Sequence, residues 1–107
     1  MGYKLFPDWK ELVVYGSDGP RPQALTEGDQ FKVLVAGLEP GQIIPQHPEG
    51  LAVYHFLEGT GWMTVDDESF FVKPGATVIT PDGARRGMQA ETRLAFLAAR
   101  VAMGAGK

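Results

Sequence analysis

His47 and His55 are the only two imidazoles in the chain, and cysteine is absent. Disulfides, thiolate zinc sites and cysteine nucleophiles are thereby excluded. The remaining chemistry rests on imidazole, carboxylate, phenol and guanidinium groups. His47 lies close to Glu49, His55 is next to Tyr54, and Arg85-Arg86 forms the one adjacent pair of arginines. Imidazole and phenol together can do general acid–base work, and a guanidinium can hold a carboxylate or phosphate. Other motifs fall away. Ser17 and Ser69 sit in turn-like settings, which leaves a Ser-His-Asp hydrolase little to work with. Asp66-Asp67-Glu68 reads as a hairpin tip of solvated acids rather than a calcium loop, and Gly59-Thr60-Gly61 lacks the lysine and the strand–turn–helix context of a phosphate loop.

The elements that must position these groups are short. The chain has 107 residues, enough for one domain, with 44% hydrophobic and 21% charged residues. A domain of this size buries only roughly 60% of its unfolded surface, so a partner subunit would help it. Glycine (14) and proline (8) are over-represented, which implies many turns and little helix. Apolar runs fall at 31–38, 42–46, 53–57, 62–65, 70–73, 77–80 and 94–101. Between them lie Glu39-Pro40-Gly41, Asp66-Asp67-Glu68, Lys73-Pro74-Gly75 and Pro81-Asp82-Gly83, whose residue types fix or permit tight-turn geometry. Short strands punctuated this way predict an all-β sandwich or barrel. Residues 8–12 read as one helical turn capped by Asp8 or as a loop into a strand at 12–15, and 94–100 reads as the closing strand despite its helix formers. Residues 102–107 are expected to fray.

With a net charge of −3 and ten scattered Lys and Arg, the chain has no stripe to release phosphate counterions, so no nucleic-acid partner is expected. Residues 1–8 lack the apolar run of a signal peptide, and no run approaches the roughly 20 residues of a membrane span. The expectation is a cytoplasmic protein that does not engage membranes.

The middle of the chain resembles the cupin superfamily. Gly41, separated from His47 by five residues, matches the start of the first motif of that family, and 53–61 looks like its strand and turn, closed by Gly59. Gly75, Pro81 and Gly83 fit the spacing of the second motif. The likeness covers about 31–101 and implies a single-domain jelly-roll barrel preceded by N-terminal strands and a short helical turn, as well as a homodimer. Metal-binding cupins gather three histidines and a glutamate. At those positions this sequence keeps His47 and substitutes Glu49, Ala52 and Arg86. A guanidinium offers a metal no lone pair and would repel it.

Strand alternation, with its inner face set by that resemblance, puts Pro45, His47 and Glu49 on one side of the first motif strand. It turns Tyr54 and Phe56 inward on the next strand with His55 outward as a cross-strand pairing residue, and Arg86 and Met88 inward on the last. Met63 or Trp62 would stand on the wall. The predicted site is therefore His47, Glu49, Tyr54, Phe56, Arg86 and Met88, with an internal Glu49–Arg86 ion pair in place of a metal. The leading reading is metal-free binding of a small anionic or polyhydroxylated ligand, with Arg86 as charge anchor. One alternative is a cupin enzyme: a sugar isomerase or epimerase using His47 as base and Tyr54 as acid, or a dioxygenase. The dioxygenase needs a bulge near Gly50-Leu51 that swings His55 inward, so that His47, Glu49 and His55 hold a divalent metal such as Fe, Mn, Ni or Zn. A third reading is a purely structural barrel, whose exposed aromatics among Trp62, Phe70 and Phe71 contact a partner.

Overall fold

A computed structural model of the chain describes residues 2–104. Nine strands form two antiparallel sheets. They are β1 (Arg21–Glu27), β2 (Phe31–Leu38), β3 (Ile43–Pro48), β4 (Ala52–Glu58), β5 (Gly61–Val65), β6 (Glu68–Val72), β7 (Thr77–Thr80), β8 (Arg85–Ala90) and β9 (Leu94–Val101). One sheet has the order β1-β2-β9-β4-β7 and the other β3-β8-β5-β6. Leu34, Leu38, Phe56, Met63, Val72, Leu94 and Phe96 fill the space between them, each contributed by the inward alternation of its strand.

The expected strands at 31–38, 77–80 and 94–101 are present with those bounds, and the other predicted runs shift by at most two residues at either end. The LAFLAAR segment is the central strand β9, hydrogen-bonded to both β2 and β4. Pairing on both edges overrides its weak helical preference. β8, with the sequence RRGMQA, carries no continuous apolar run and so escapes a search for one, although its inner positions Arg86 and Met88 are buried. At 8–12 the helical alternative is the one observed. Trp9–Glu11 form a single 3₁₀ turn, capped where Asp8 accepts from the Lys10 amide at 3.0 Å, and no strand follows at 12–15.

Part of the tail is held. The Ala102 amide donates to the Gln30 carbonyl and the Gly104 amide to the Asp82 carboxylate, which ties the start of the tail to two loops, while 105–107 lie outside the described residues. Two apolar surfaces lie outside the barrel. The N-terminal segment covers Val33 and Val35 and leaves a groove of about 560 Å³ beside Phe6, Trp9 and Leu97. On the four-stranded sheet, Ile43, Gln89, Trp62 and Phe71 follow one another across all four strands, and Trp62 meets Phe71 edge-on at 5.4 Å.

Away from the mouth, Arg93 clamps the loop before β9 to the loop after β2. Its Nε and Nη2 donate to the two Glu39 carboxylate oxygens at 3.0 and 2.9 Å, and its guanidinium lies 4.3 Å from the Tyr15 ring centre. This fork holds the Glu39 carboxyl below its ordinary value of 4.5. A carboxylate depressed in the folded state stabilises the fold above the unfolded pKa and loses that contribution as pH falls through the folded one. Arg93→Met should therefore move the Glu39 titration upward, read by carboxyl-carbon NMR, and remove its share of stability just above the acid transition. An unmoved Glu39 titration would contradict the clamp.

Candidate functional site

The site forms where β3 leaves its regular register. Ile44 pairs with Met88 and His47 with Arg86, so three steps along β3 oppose two along β8. Such a bulge inserts one residue and resets which face follows. Pro45 sits inside it and has no N–H to give the ladder. Opposite lies Gly87, where a Cβ would meet the Ile44 carbonyl oxygen at 2.7 Å and the Gln46 nitrogen at 2.9 Å. Ile44 and His47 consequently share the inner side, while the Gln46 amide reaches the Asp66 carbonyl at 2.7 Å. Pro45 and His47 do line one cavity, with Glu49 beside His47 as expected, and the bulge adds Ile44 to that side, which simple alternation would have turned away.

Arg86 is the most consequential correction. It is buried, 1% exposed, as alternation along β8 requires, but it makes no ion pair with Glu49. Its Nε donates to the Ala84 carbonyl at 2.9 Å and its Nη1 to the Gly50 carbonyl at 2.9 Å and the Tyr54 hydroxyl at 3.5 Å. Its Nη2 donates to the carbonyls of Glu49 at 3.2 Å and Pro81 at 3.1 Å. A guanidinium carries five N–H donors, and these five acceptors take all of them. A bidentate carboxylate would have satisfied two and left three buried without partners. The side chain therefore pins the β3–β4 loop, the β7–β8 loop and β4 together. It has no donor left for a ligand, which removes it as the charge anchor.

The Glu49 carboxylate turns to the rim instead. Its Oε2 lies 3.3 Å from Arg100 Nη1 and 3.5 Å from His47 Nε2. His47 Nδ1 faces the Pro45 carbonyl at 3.0 Å, and since a carbonyl only accepts, Nδ1 is the donor there while Nε2 faces Glu49. Arg100 and Lys32 are the residues that the sequence reading missed. Inward alternation along β9 runs Leu94, Phe96, Ala98, Arg100, and along β2 it runs back from Leu38, Ala36 and Leu34 to Lys32. Extending either pattern by one step would have found them. They are direct partners across the β2–β9 ladder, and side by side such like charges destabilise one another. Two carboxylates moderate this here, Glu49 at Arg100 and Glu27 at 3.7 Å from Lys32.

These groups open on a cavity of about 360 Å³ lined by Lys32, Leu34, Ile44, His47, Tyr54, Phe96 and Arg100 among others. Of the six predicted site residues, His47 and Tyr54 line it, and Glu49 stands at its rim. Phe56 and Met88 are instead packed in the closed core, 0% and 5% exposed, where Met63 is also buried. Trp62 lies on the outer face.

The alternative metal set is not assembled. The bulge near Gly50-Leu51 on which that alternative depends does not turn His55 inward: β4 pairs with β9 in regular register from Ala52 to Phe56, and its irregularity falls later, between Phe56 and Glu58. Tyr54 and Phe56 point inward, and His55 stays on the other face with Nδ1 2.7 Å from the Thr77 hydroxyl, a cross-strand pair as expected. Among the described residues no three His, Asp or Glu side chains converge as a metal site. His47 moreover stands opposite a buried cation.

The turns that frame the site are those of the motif glycines. Gly41, Gly59, Gly75 and Gly83 all adopt positive φ, between 80° and 93°. The cupin domain family matches residues 34–99, from the start of the β2 core to β9. No curated protein matches the chain. Among solved structures, a conserved protein of unknown function from Streptococcus pyogenes is 24% identical, with a TM-score of 0.84 over 95% of this chain and 90% of its own. An uncharacterized conserved protein with a double-stranded beta-helix domain, from Klebsiella pneumoniae, is 22% identical, with a TM-score of 0.83 over 99% and 95%. A cupin superfamily protein from Desulfitobacterium hafniense is 17% identical, with a TM-score of 0.80 over 86% and 85%. These structures share the fold. From the two sheets, the motif turns and the family match over most of its length, the chain belongs to the cupin superfamily as a small all-β jelly-roll protein.

Proposed function

We propose that this cupin binds a small anionic ligand at the mouth of its barrel, without a metal. One observation carries the reading: Lys32 and Arg100 are direct cross-strand partners turned into the same cavity. Two adjacent cations that share a partly desolvated mouth favour an anion between them, in competition with the Glu49 and Glu27 carboxylates that pair with one each. Lys32 and Arg100 take the charge, while the Tyr54 hydroxyl and His47 Nε2 offer polar contacts. A homodimer is part of the same proposal, supported by the exposed Ile43, Trp62 and Phe71 on the outer sheet.

The metal-free part has its own support. Arg86 fills the position where relatives carry a ligand and presents a cation there, with His47 directly opposite. Protein purified without an affinity tag and incubated with Fe, Mn, Ni or Zn should hold no stoichiometric metal by elemental mass spectrometry. Near one equivalent, lost in His47→Ala, would overturn this part. The anion site is tested by NMR of the Arg100 guanidinium and Lys32 ammonium signals during titration with acetate, phosphate, glucuronate and 3-phenylpropanoate. At least one anion should shift both sets, and no shift with any of them would refute the site.

A second reading, acid–base catalysis, is favoured by the His47 geometry. With Nδ1 hydrogen-bonded to the Pro45 carbonyl, the ring holds Nε2 at the rim, 3.5 Å from the Glu49 carboxylate, and Tyr54 supplies a phenol in the same cavity. Such pairs contribute roughly 10²–10⁴ in rate. Turnover of a ligand found by the titration, lost in His47→Gln with binding retained, would select this reading.

A further inference from the structure

Polarity in the mouth runs along the strands. In the β2–β9 ladder Lys32 stands opposite Arg100, Leu34 opposite Ala98 and Ala36 opposite Phe96. The inward faces of both strands therefore change together, from cationic at one end to apolar at the other. At about 3.4 Å per residue, the step from Lys32 to Ala36 spans about 13 Å. Pro22, which pairs with Ala36 across the β1–β2 ladder, extends the apolar end, and Ile44 faces it from β3. The cavity of about 360 Å³ lies within the size of small-ligand pockets, and its lining includes residues from both ends of this ramp.

Hydrogen-bonding capacity is as unevenly placed as charge. Arg100 holds Glu49 through Nη1 only, which leaves its other guanidinium protons available. Midway along the ramp, Tyr54 pairs with Ala98 in the β4–β9 ladder, and its hydroxyl oxygen accepts from Arg86, so a single O–H remains to donate. Beyond it the walls are Leu34, Ala36, Ile44 and Phe96, which provide no side-chain donor or acceptor. A ligand carrying several hydroxyls would bury them there without partners, and that is costly. A ligand with one anionic end and an apolar body matches the walls along their length.

We propose that the mouth selects an elongated monocarboxylate with an aromatic or branched aliphatic body, and discriminates against polyhydroxylated anions. The carboxylate takes Arg100 and Lys32 in place of the Glu49 and Glu27 carboxylates that pair with them here, and the body lies on Leu34, Ile44 and Phe96. The inference rests on reading the mouth as an anion site and narrows the anion to one chemical class.

Titration calorimetry of the full chain with 3-phenylpropanoate, 3-phenylpropanol, glucuronate and inorganic phosphate tests it. 3-Phenylpropanoate should bind at least about tenfold more tightly than each of the others. Arg100→Gln should weaken it by about 10–100-fold, the loss of a hydrogen bond to a charged group, and leave the alcohol unchanged. Lys32→Gln, measured alongside, should weaken it by about tenfold, and melting temperatures establish that both variants are folded. Glucuronate or phosphate binding as tightly as 3-phenylpropanoate, and depending on Arg100, would overturn the ligand class while the anion site stands. Binding of 3-phenylpropanoate that is indifferent to both substitutions would overturn the inference, as would binding by none of the four probes, and this last result would also count against the anion site.

Discussion

Replacing Arg86 with methionine should lower the melting temperature by on the order of 15–25 °C. The side chain is 1% exposed and joins two loops and a strand through five hydrogen bonds, four of them to backbone carbonyls. Methionine approximates its apolar stem and offers no donor. Each buried acceptor left without a partner costs about 1–3 kcal/mol, less wherever water can reach it. No charge is left stranded, because every partner of Arg86 is neutral. Loss of a buried hydrogen-bond network is nonetheless among the few mechanisms that cost several kcal/mol, here about 3–5 kcal/mol in total. That is a large share of a total stability of about 5–15 kcal/mol. For a domain near 100 residues, about 1 kcal/mol moves the midpoint by roughly 4–8 °C, which gives the stated range from the lower part of the cost. Arg86→Lys should recover only part of the loss, since three donors on one nitrogen cannot reach carbonyls held by two separate loops. A fall below about 5 °C for the methionine variant would mean that the loops close without the guanidinium.

Gly59→Ala should be of comparable severity, through backbone alone. Gly59 closes the turn between β4 and β5 with φ at 80°, a conformation that costs an L-residue about 1–3 kcal/mol. A Cβ there would also run into the Arg93 carbonyl and lie 3.0 Å from the Leu94 Cα, both backbone at the start of β9. That backbone cannot retreat freely, because the Glu91 and Thr92 amides donate to the Thr60 carbonyl and the Thr60 amide donates to the Thr92 hydroxyl at 2.8 Å. Strain and collision together should cost about 3–5 kcal/mol, in the range reached by overpacking and strained positions. Gly41→Ala is the internal control. Gly41 has φ at 85° but open space where its Cβ would go, so it should lose only about 1–2 kcal/mol. Chemical denaturation of the two variants separates the effects, and equal losses would show that conformation rather than collision dominates at Gly59.

The two residues illustrate how differently the sequence exposes its content. Gly59 could be read from its place in a spaced motif, and its positive φ is a local requirement, whereas the Arg93 backbone that a Cβ would meet is brought there only by the fold. Local pattern also marks the strands, whose residues alternate in burial, and the turns, whose glycines and prolines announce them. Even the inward direction of Arg86 follows from its neighbours along β8. His55 is a similar case, since its outward position on β4 follows from Tyr54 and Phe56 on either side. Arg100 and Lys32 were legible in principle, by continuing the inward alternation one residue past the last apolar side chain. They were overlooked because a charged residue at a strand end reads as surface.

The sequence by itself determined an all-β jelly roll, its motif turns, and a guanidinium where relatives carry a metal ligand. What that guanidinium bonds to was decided only by the tertiary structure. Alternation is a property of residues two apart, whereas the acceptors of Arg86 reach back 36 and 37 positions to Gly50 and Glu49. No local pattern says whether Glu49 offers its carboxylate or its carbonyl to that cation. The answer comes from the bulge at Pro45, which resets the inner face of β3 and brings His47 opposite Arg86. It comes also from Arg100, on a strand of the other sheet, which claims the carboxylate at the rim. Five donors in fixed directions require five converging acceptors, and only the closing of two loops over β4 brings those acceptors together.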